Sequence, residues 1–143
     1  MAAVQHGAMV SVMVPHARPS VGVARRALAD HLRMSGVGAR DVEDAVLVLS
    51  ELLSNAIKHA AALPAGELKV CWSVDDDSLH VEVTDGGATT RPHAAVAAVS
   101  ALGGRGLDIV RNVTSTWGVT ESQDSVTVWA DVPRTRMGLG RAG

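Results

Sequence analysis

The chain has no Tyr, no Phe, three Trp and a single Cys in 143 residues. Without rings there is little on which bases could stack, which argues against aromatic capture of single-stranded nucleic acid. The lone Cys71 permits no intrachain disulfide and no cysteine-based zinc site, and it fits a reducing, cytoplasmic setting. A basic excess is missing too. The formal net charge is -2, which argues against direct nucleic-acid binding, although the tail Arg134–Arg141 is locally basic. No apolar run reaches the ~18 residues of a membrane span, and the start lacks the charged and apolar regions of a signal peptide. The six His residues are scattered, with no close pair or His/carboxylate cluster of the kind that binds zinc.

What the chain does have is apolar aliphatic residues. Hydrophobic residues are 47% of the total, enough for one core built from Val, Leu, Ala and Ile. The length fits one domain, expected over 9–133, with a ragged segment 1–8 and a flexible tail 134–143. Neither an internal repeat nor a low-complexity linker is present.

Periodicity predicts the elements. Met9 to Val14 reads as a short strand, and Ser20 to Met34 as a helix, with Pro19 near its start and Gly36 and Gly38 at its end. From Asp41 to Ala62 the apolar residues Val42, Ala45, Val46, Leu49, Leu52, Leu53, Ala56, Ile57 and Ala60 form a helical stripe. Leu68–Val74 and Leu79–Val83 alternate about the acidic turn Asp75–Asp77 and read as a hairpin. Cys71 falls at outward parity on the first of these strands. An Ala-rich stretch over 93–101, a short helix or a lid, precedes Gly103-Gly104-Arg105-Gly106, which opens another helix. Thr116–Glu121 and Val126–Val132 read as the last strands. This order predicts an α+β two-layer sandwich with a mostly antiparallel, mixed sheet.

Three features carry candidate chemistry. On the long helix, Glu51 lies nearly opposite the apolar stripe, and Asn55, Lys58 and His59 share its broad face. That face reads either as solvated surface with a Glu–Lys pair or as a functional face. Leu47 and Val48 on the same side point to cover there. A carboxylate so placed can act as a general base, and an Asn four residues on can offer an oxygen to a hard cation. Asp85 ends its strand at core-facing parity. It is either a cap for the following glycine turn or an acceptor for a ligand amino group. The Gly103–Gly106 loop before a helix suits phosphate, or is simply a turn.

Taken together, these runs resemble a known set. SELLSNAIKHA is similar to the N box of the GHKL ATPase superfamily, VEVTDGG to its first glycine box and GGRGLDIV to its second. Within the superfamily the chain most resembles the RsbW- and SpoIIAB-type anti-sigma-factor serine kinases, in their short stand-alone form, over about residues 9–133. It departs from the pattern at Thr89, where a second glycine is usual, and in the short loop from Asp85 to Gly103. Thr127 on the last strand has the outward parity.

The resemblance implies a Bergerat-type ATP-binding fold. It implies Glu51 as general base, Asn55 as the Mg²⁺ ligand and Asp85 as acceptor from the adenine amino group, with Gly87 below the ring. Gly104 and Gly106 would let the loop close on the phosphates beside Arg105, and His59 and Lys58 would line the site. It implies ATP and Mg²⁺ as cofactors, and as partners an anti-anti-sigma protein of the STAS type, a sigma factor, or both, with a possible homodimer. Three functions remain open at this point: a serine/threonine kinase, a nucleotide-binding docking module, and an interaction domain whose glycine loops are only turns.

Overall fold

The computed structural model of the chain describes residues 8–87 and 112–135. The alternating runs become five strands because every second side chain meets one apolar layer. These are β1 (Val10–Pro15), β2 (Glu67–Val74), β3 (Ser78–Asp85), β4 (Thr116–Glu121) and β5 (Val126–Pro133). Two helices lie between β1 and β2: α1 (Pro19–Met34) and α2 (Ala39–His59). The Ala-rich stretch over 93–101 and the loop with Gly104, Arg105 and Gly106 lie outside the described residues.

The strands form one sheet in the order β1-β2-β3-β5-β4. All four pairings are antiparallel, so the described strands contain none of the parallel pairing of a mixed sheet. The β2–β3 hairpin closes at Asp75, whose N–H donates to Ser78 O at 2.9 Å. The chain is thus an α+β two-layer sandwich, with α2 packed on β3 and β5, and α1 on α2, β1 and β2.

Between the layers lie Leu28 and Leu32 of α1, Leu49 and Leu53 of α2, and Leu68, Val70, Trp72, Leu79, Val81, Ala130 and Val132 of the sheet, all buried. Burying one such Leu stabilises by about 1.5–3 kcal/mol. The Trp72 indole N–H donates to His31 Nδ1 at 3.0 Å, which seats α1 on the sheet. Gly36, at φ +82°, ends α1. Val37 N–H then reaches Leu32 O and Gly36 N–H reaches Arg33 O, the two bonds of a Schellman cap.

Two expectations are corrected, and the outward parity of Cys71 holds. α2 stops at His59, short of Ala62, because Ala60 is extended and the Ala61 N–H bonds outside the helix, to Gly87 O. Cys71 has the outward parity but is buried, 3.2 Å from the Ser11 hydroxyl of β1. Arg134 and Thr135 are not loose tail. Arg134 N–H donates to Asp77 O, and Thr135 N–H to the buried Asp41 carboxylate at 2.8 Å.

Candidate functional site

α2 buries a wider face than its apolar stripe alone. Asp41, Ala45, Val48, Leu52 and Asn55 continue one flank of that face, and all are buried. Val48 therefore belongs to the core, while Leu47 is at the surface. This corrects the picture of a helix face opposite the core. Asn55 lies inside the covered flank at 6% exposure, Glu51 sits half-buried at its rim, and Lys58 and His59 are exposed.

The Asn55 side chain carries the chemical signal. Its Oδ1 is buried and has no hydrogen-bond partner among the described residues. Buried polar atoms are nearly always satisfied, and an orphan costs about 1–3 kcal/mol. An amide oxygen held dry and unpaired suits a ligand that brings its own positive charge, such as a hard divalent cation.

The end of β3 supplies the second half. Asp85 faces inward as its parity requires and is 3% exposed. Its Oδ1 accepts from the Gly87 N–H at 2.6 Å, so the turn-capping reading is realised. Burial pushes the carboxyl above the usual carboxylate range; the Gly87 N–H and the His16 charge pull it back without cancelling the rise. Gly87 sits at φ +85°, which only glycine adopts without strain.

Gly86 sits against backbone. A Cβ there would lie 2.2 Å from Ala62 O. Its N–H donates to Ala61 O at 2.8 Å, and Ala61 N–H donates to Gly87 O at 3.0 Å. This double bond pair joins the end of β3 to the exit of α2, and so brings the Asp85–Gly87 turn to the helix that carries Asn55.

Glu51 makes no hydrogen bond or ion pair among the described residues, and the Glu51–Lys58 pair that a solvated face would show is not formed. His59 and Lys58 sit in the last turn of α2, where positive charge complements the helix dipole. No described contact ties either to Asp85. Gly104, Arg105 and Gly106 lie outside the described residues.

The sequence profile of the histidine kinase-like ATPase domain matches residues 14–131. The chain belongs to that family. It is 26% identical to the serine-protein kinase RsbW of Staphylococcus epidermidis over 80 residues, covering 54% of this chain and 50% of RsbW. It is 25% identical to RsbW of Bacillus cereus over 80 residues, covering 56% and 50%. The chain thus spans about half the length of the curated relatives it matches. A chain in the crystal structure of the SiaB–SiaC complex from Pseudomonas aeruginosa superposes with a TM-score of 0.63 at 13% identity, covering 86% of this chain and 88% of that one. At that identity the likeness is one of fold.

Within this histidine kinase-like ATPase domain, two residues escaped the sequence reading. Gly86 is the point of closest backbone approach, although the two adjacent glycines looked alike. His16, in the turn after β1, places Nε2 2.8 Å from Ala60 O and acts electrostatically on Asp85. Nothing in the sequence joins His16 to Asp85, because the turn between β1 and α1 meets the end of β3 only in three dimensions. Among the described residues no group of three or more His, Cys, Asp or Glu could hold a metal ion. No described helix is long and apolar enough to cross a membrane.

Proposed function

We propose that this histidine kinase-like ATPase domain binds ATP with Mg²⁺ and acts as a regulatory serine/threonine protein kinase of the anti-sigma-factor type. The observation that carries the reading is the unpartnered, buried Oδ1 of Asn55, on the helix tied through Ala61 to the Asp85–Gly87 turn. An amide oxygen in that state fits Mg²⁺, which takes few protein ligands and completes its shell with phosphate and water oxygens. Bound there, the ion would offset phosphate charge.

The other roles follow from chemistry. Asp85, acceptor-only when ionised, would take the exocyclic amine of adenine, with Gly87 below the ring. Glu51 would take the proton of the acceptor hydroxyl as that oxygen bonds the γ-phosphorus and ADP departs. Gly104 and Gly106 would admit the phosphates to the backbone of their loop, with Arg105 beside them. His59 and Lys58 would add positive charge at the edge. The RsbW relatives, serine-protein kinases by name, support a protein substrate. In this reading the substrate is an anti-anti-sigma protein of the STAS type, and a sigma factor is the sequestered partner. A homodimer and a cytoplasmic setting belong to the same reading.

A second reading is favoured by one observation. Glu51 has no orienting hydrogen bond among the described residues, whereas a general base is normally held in place. The domain would then bind nucleotide and dock a partner without transferring phosphate. The test is calorimetric titration of ATP, with and without Mg²⁺, into wild type, Asn55→Ala and Asp85→Asn. Binding that needs Mg²⁺ and Asn55, and that is lost in Asp85→Asn, supports the site. No binding to the wild type rejects it. Transfer of labelled phosphate to a partner protein separates kinase from docking module.

A further inference from the structure

His16 stands outside every role given so far, yet it is held in place at two points. Its N–H donates to Gly66 O at 3.1 Å. Its Nε2 lies 2.8 Å from Ala60 O, and since a carbonyl can only accept, Nε2 carries the hydrogen. Ala60 O and the Ala61 N–H belong to one planar peptide unit. His16 holds the oxygen end of that unit, and Gly87 O accepts from the nitrogen end at 3.0 Å. Gly87 N–H in turn donates to Asp85 Oδ1 at 2.6 Å. The relay runs from a side chain in the β1–α1 turn, through one rigid peptide, to the buried carboxylate.

Such a relay does two things. It sets the tilt of the peptide that Gly87 must meet, and hence the direction of the N–H that orients Asp85. It also polarises the bond from Ala61 N–H to Gly87 O, because His16 and Gly87 O act on the two ends of one peptide dipole.

We propose that His16 is a positioning residue for Asp85: through the Ala60–Ala61 peptide it fixes the orientation of the adenine-recognising carboxylate. The assignment rests on the ATP-binding reading above. Among the described residues His16 is the one charged group acting on Asp85; the ladder partner of Asp85 on β5 is the apolar Val126. Without His16 the burial of Asp85 is opposed only by the Gly87 N–H, and the carboxyl holds its proton to higher pH.

The experiment compares wild type, His16→Ala and His16→Gln. ATP affinity is measured by calorimetry from mildly acidic to neutral pH, and Asp85 is titrated in nucleotide-free protein by carboxyl-carbon NMR. Thermal melting checks the fold. His16→Ala is expected to bind ATP about tenfold more weakly at neutral pH, equivalent to ~1.4 kcal/mol. Its acid limb of binding should move to higher pH. His16→Gln, which keeps a donor for Ala60 O but no charge, is expected to regain most of the neutral-pH affinity and to keep the displaced acid limb. In both variants the Asp85 titration should move up. Neutral-pH ATP affinity that stays put in His16→Ala, or that His16→Gln fails to restore, overturns the proposal. If the titration moves but wild type binds no ATP, the His16–Asp85 coupling stands and the nucleotide reading falls.

Discussion

His80 and Asp131 face each other across the β3–β5 ladder, with His80 Nδ1 2.6 Å from Asp131 Oδ1. The other ring nitrogen lies 2.8 Å from Glu82 on the same strand, and the ring stacks on Trp129 with centroids 5.9 Å apart. Carboxylates only accept, so both contacts are good hydrogen bonds only when the imidazole is doubly protonated. Burial alone would push His80 down; the hydrogen bonds and charges of Asp131 and Glu82 outweigh it, and His80 is raised above its usual value.

A raised histidine contributes stability that is complete below its unfolded pKa, near ~6.5, and is lost as pH rises through the folded value. Urea midpoints for the wild type should therefore decline from mildly acidic into mildly alkaline pH. In His80→Gln that decline should flatten. Equal slopes in the two proteins would remove His80 as the cause.

Asp85 gives the opposite trade. An acid whose pKa is raised on folding destabilises the fold once ionised, so its cost sets in as pH climbs from its usual ~3.9 through the raised value. Asp85→Asn keeps an acceptor for Gly87 N–H and sheds the buried charge. At neutral pH it should melt no lower than the wild type, while ATP affinity drops about ten- to a hundredfold, as for a hydrogen bond to a charged group. A variant that melts lower and still binds ATP would count against both halves of the argument.

Asn55→Leu removes the orphaned Oδ1 in a similar volume. In the absence of nucleotide its stability should match or exceed the wild type, by up to about 1–3 kcal/mol, because an unsatisfied buried atom is gone. The Mg²⁺ dependence of ATP binding should vanish with it. Calorimetry with and without Mg²⁺ reads the second effect, and denaturant titration the first.

Gly86→Ala places a methyl 2.2 Å from Ala62 O, a backbone atom that cannot swing aside. The expected cost is about 1–3 kcal/mol or more, with loss of the Ala61 clasp. Gly87→Ala meets only ordinary contact with Val126, at 3.8 Å, but is strained by its positive φ. Amide exchange at Gly86 and Gly87 should accelerate in Gly86→Ala; unchanged protection would show that the clasp does not depend on the missing side chain.

Glu51→Gln tests the most exposed assignment. The residue makes no described hydrogen bond, so melting should change little. If Glu51 is the base, phosphate transfer to a partner should fall about 10²–10⁴-fold while ATP affinity holds. Retained transfer would assign the base elsewhere, and absent transfer in the wild type would favour the docking module.

The local pattern of the chain by itself determined the elements. Alternation in Leu79–Asp85 and Val126–Val132 placed Asp85 inward and Thr127 outward, and the structure has both: Thr127 meets Thr84 across the outer face, hydroxyls 2.7 Å apart. Strand parity is a property of consecutive residues, so sequence suffices for it. Where α2 ends is not such a property. Ala60 and Ala61 favour helix, yet the chain leaves it there because Gly86 and Gly87, just after a distant strand, take up both backbone groups of Ala61, and His16 meets the Ala60 carbonyl. The burial of Asn55 likewise depends on the tertiary packing around α2, which periodicity does not encode. The pairing of His80 with Asp131 and the reach of His16 to Ala60 depend on strand order and on the turn that β1 makes over the end of α2. Those contacts join residues far apart in the chain, and only the packed sheet and helices bring them within hydrogen-bonding distance.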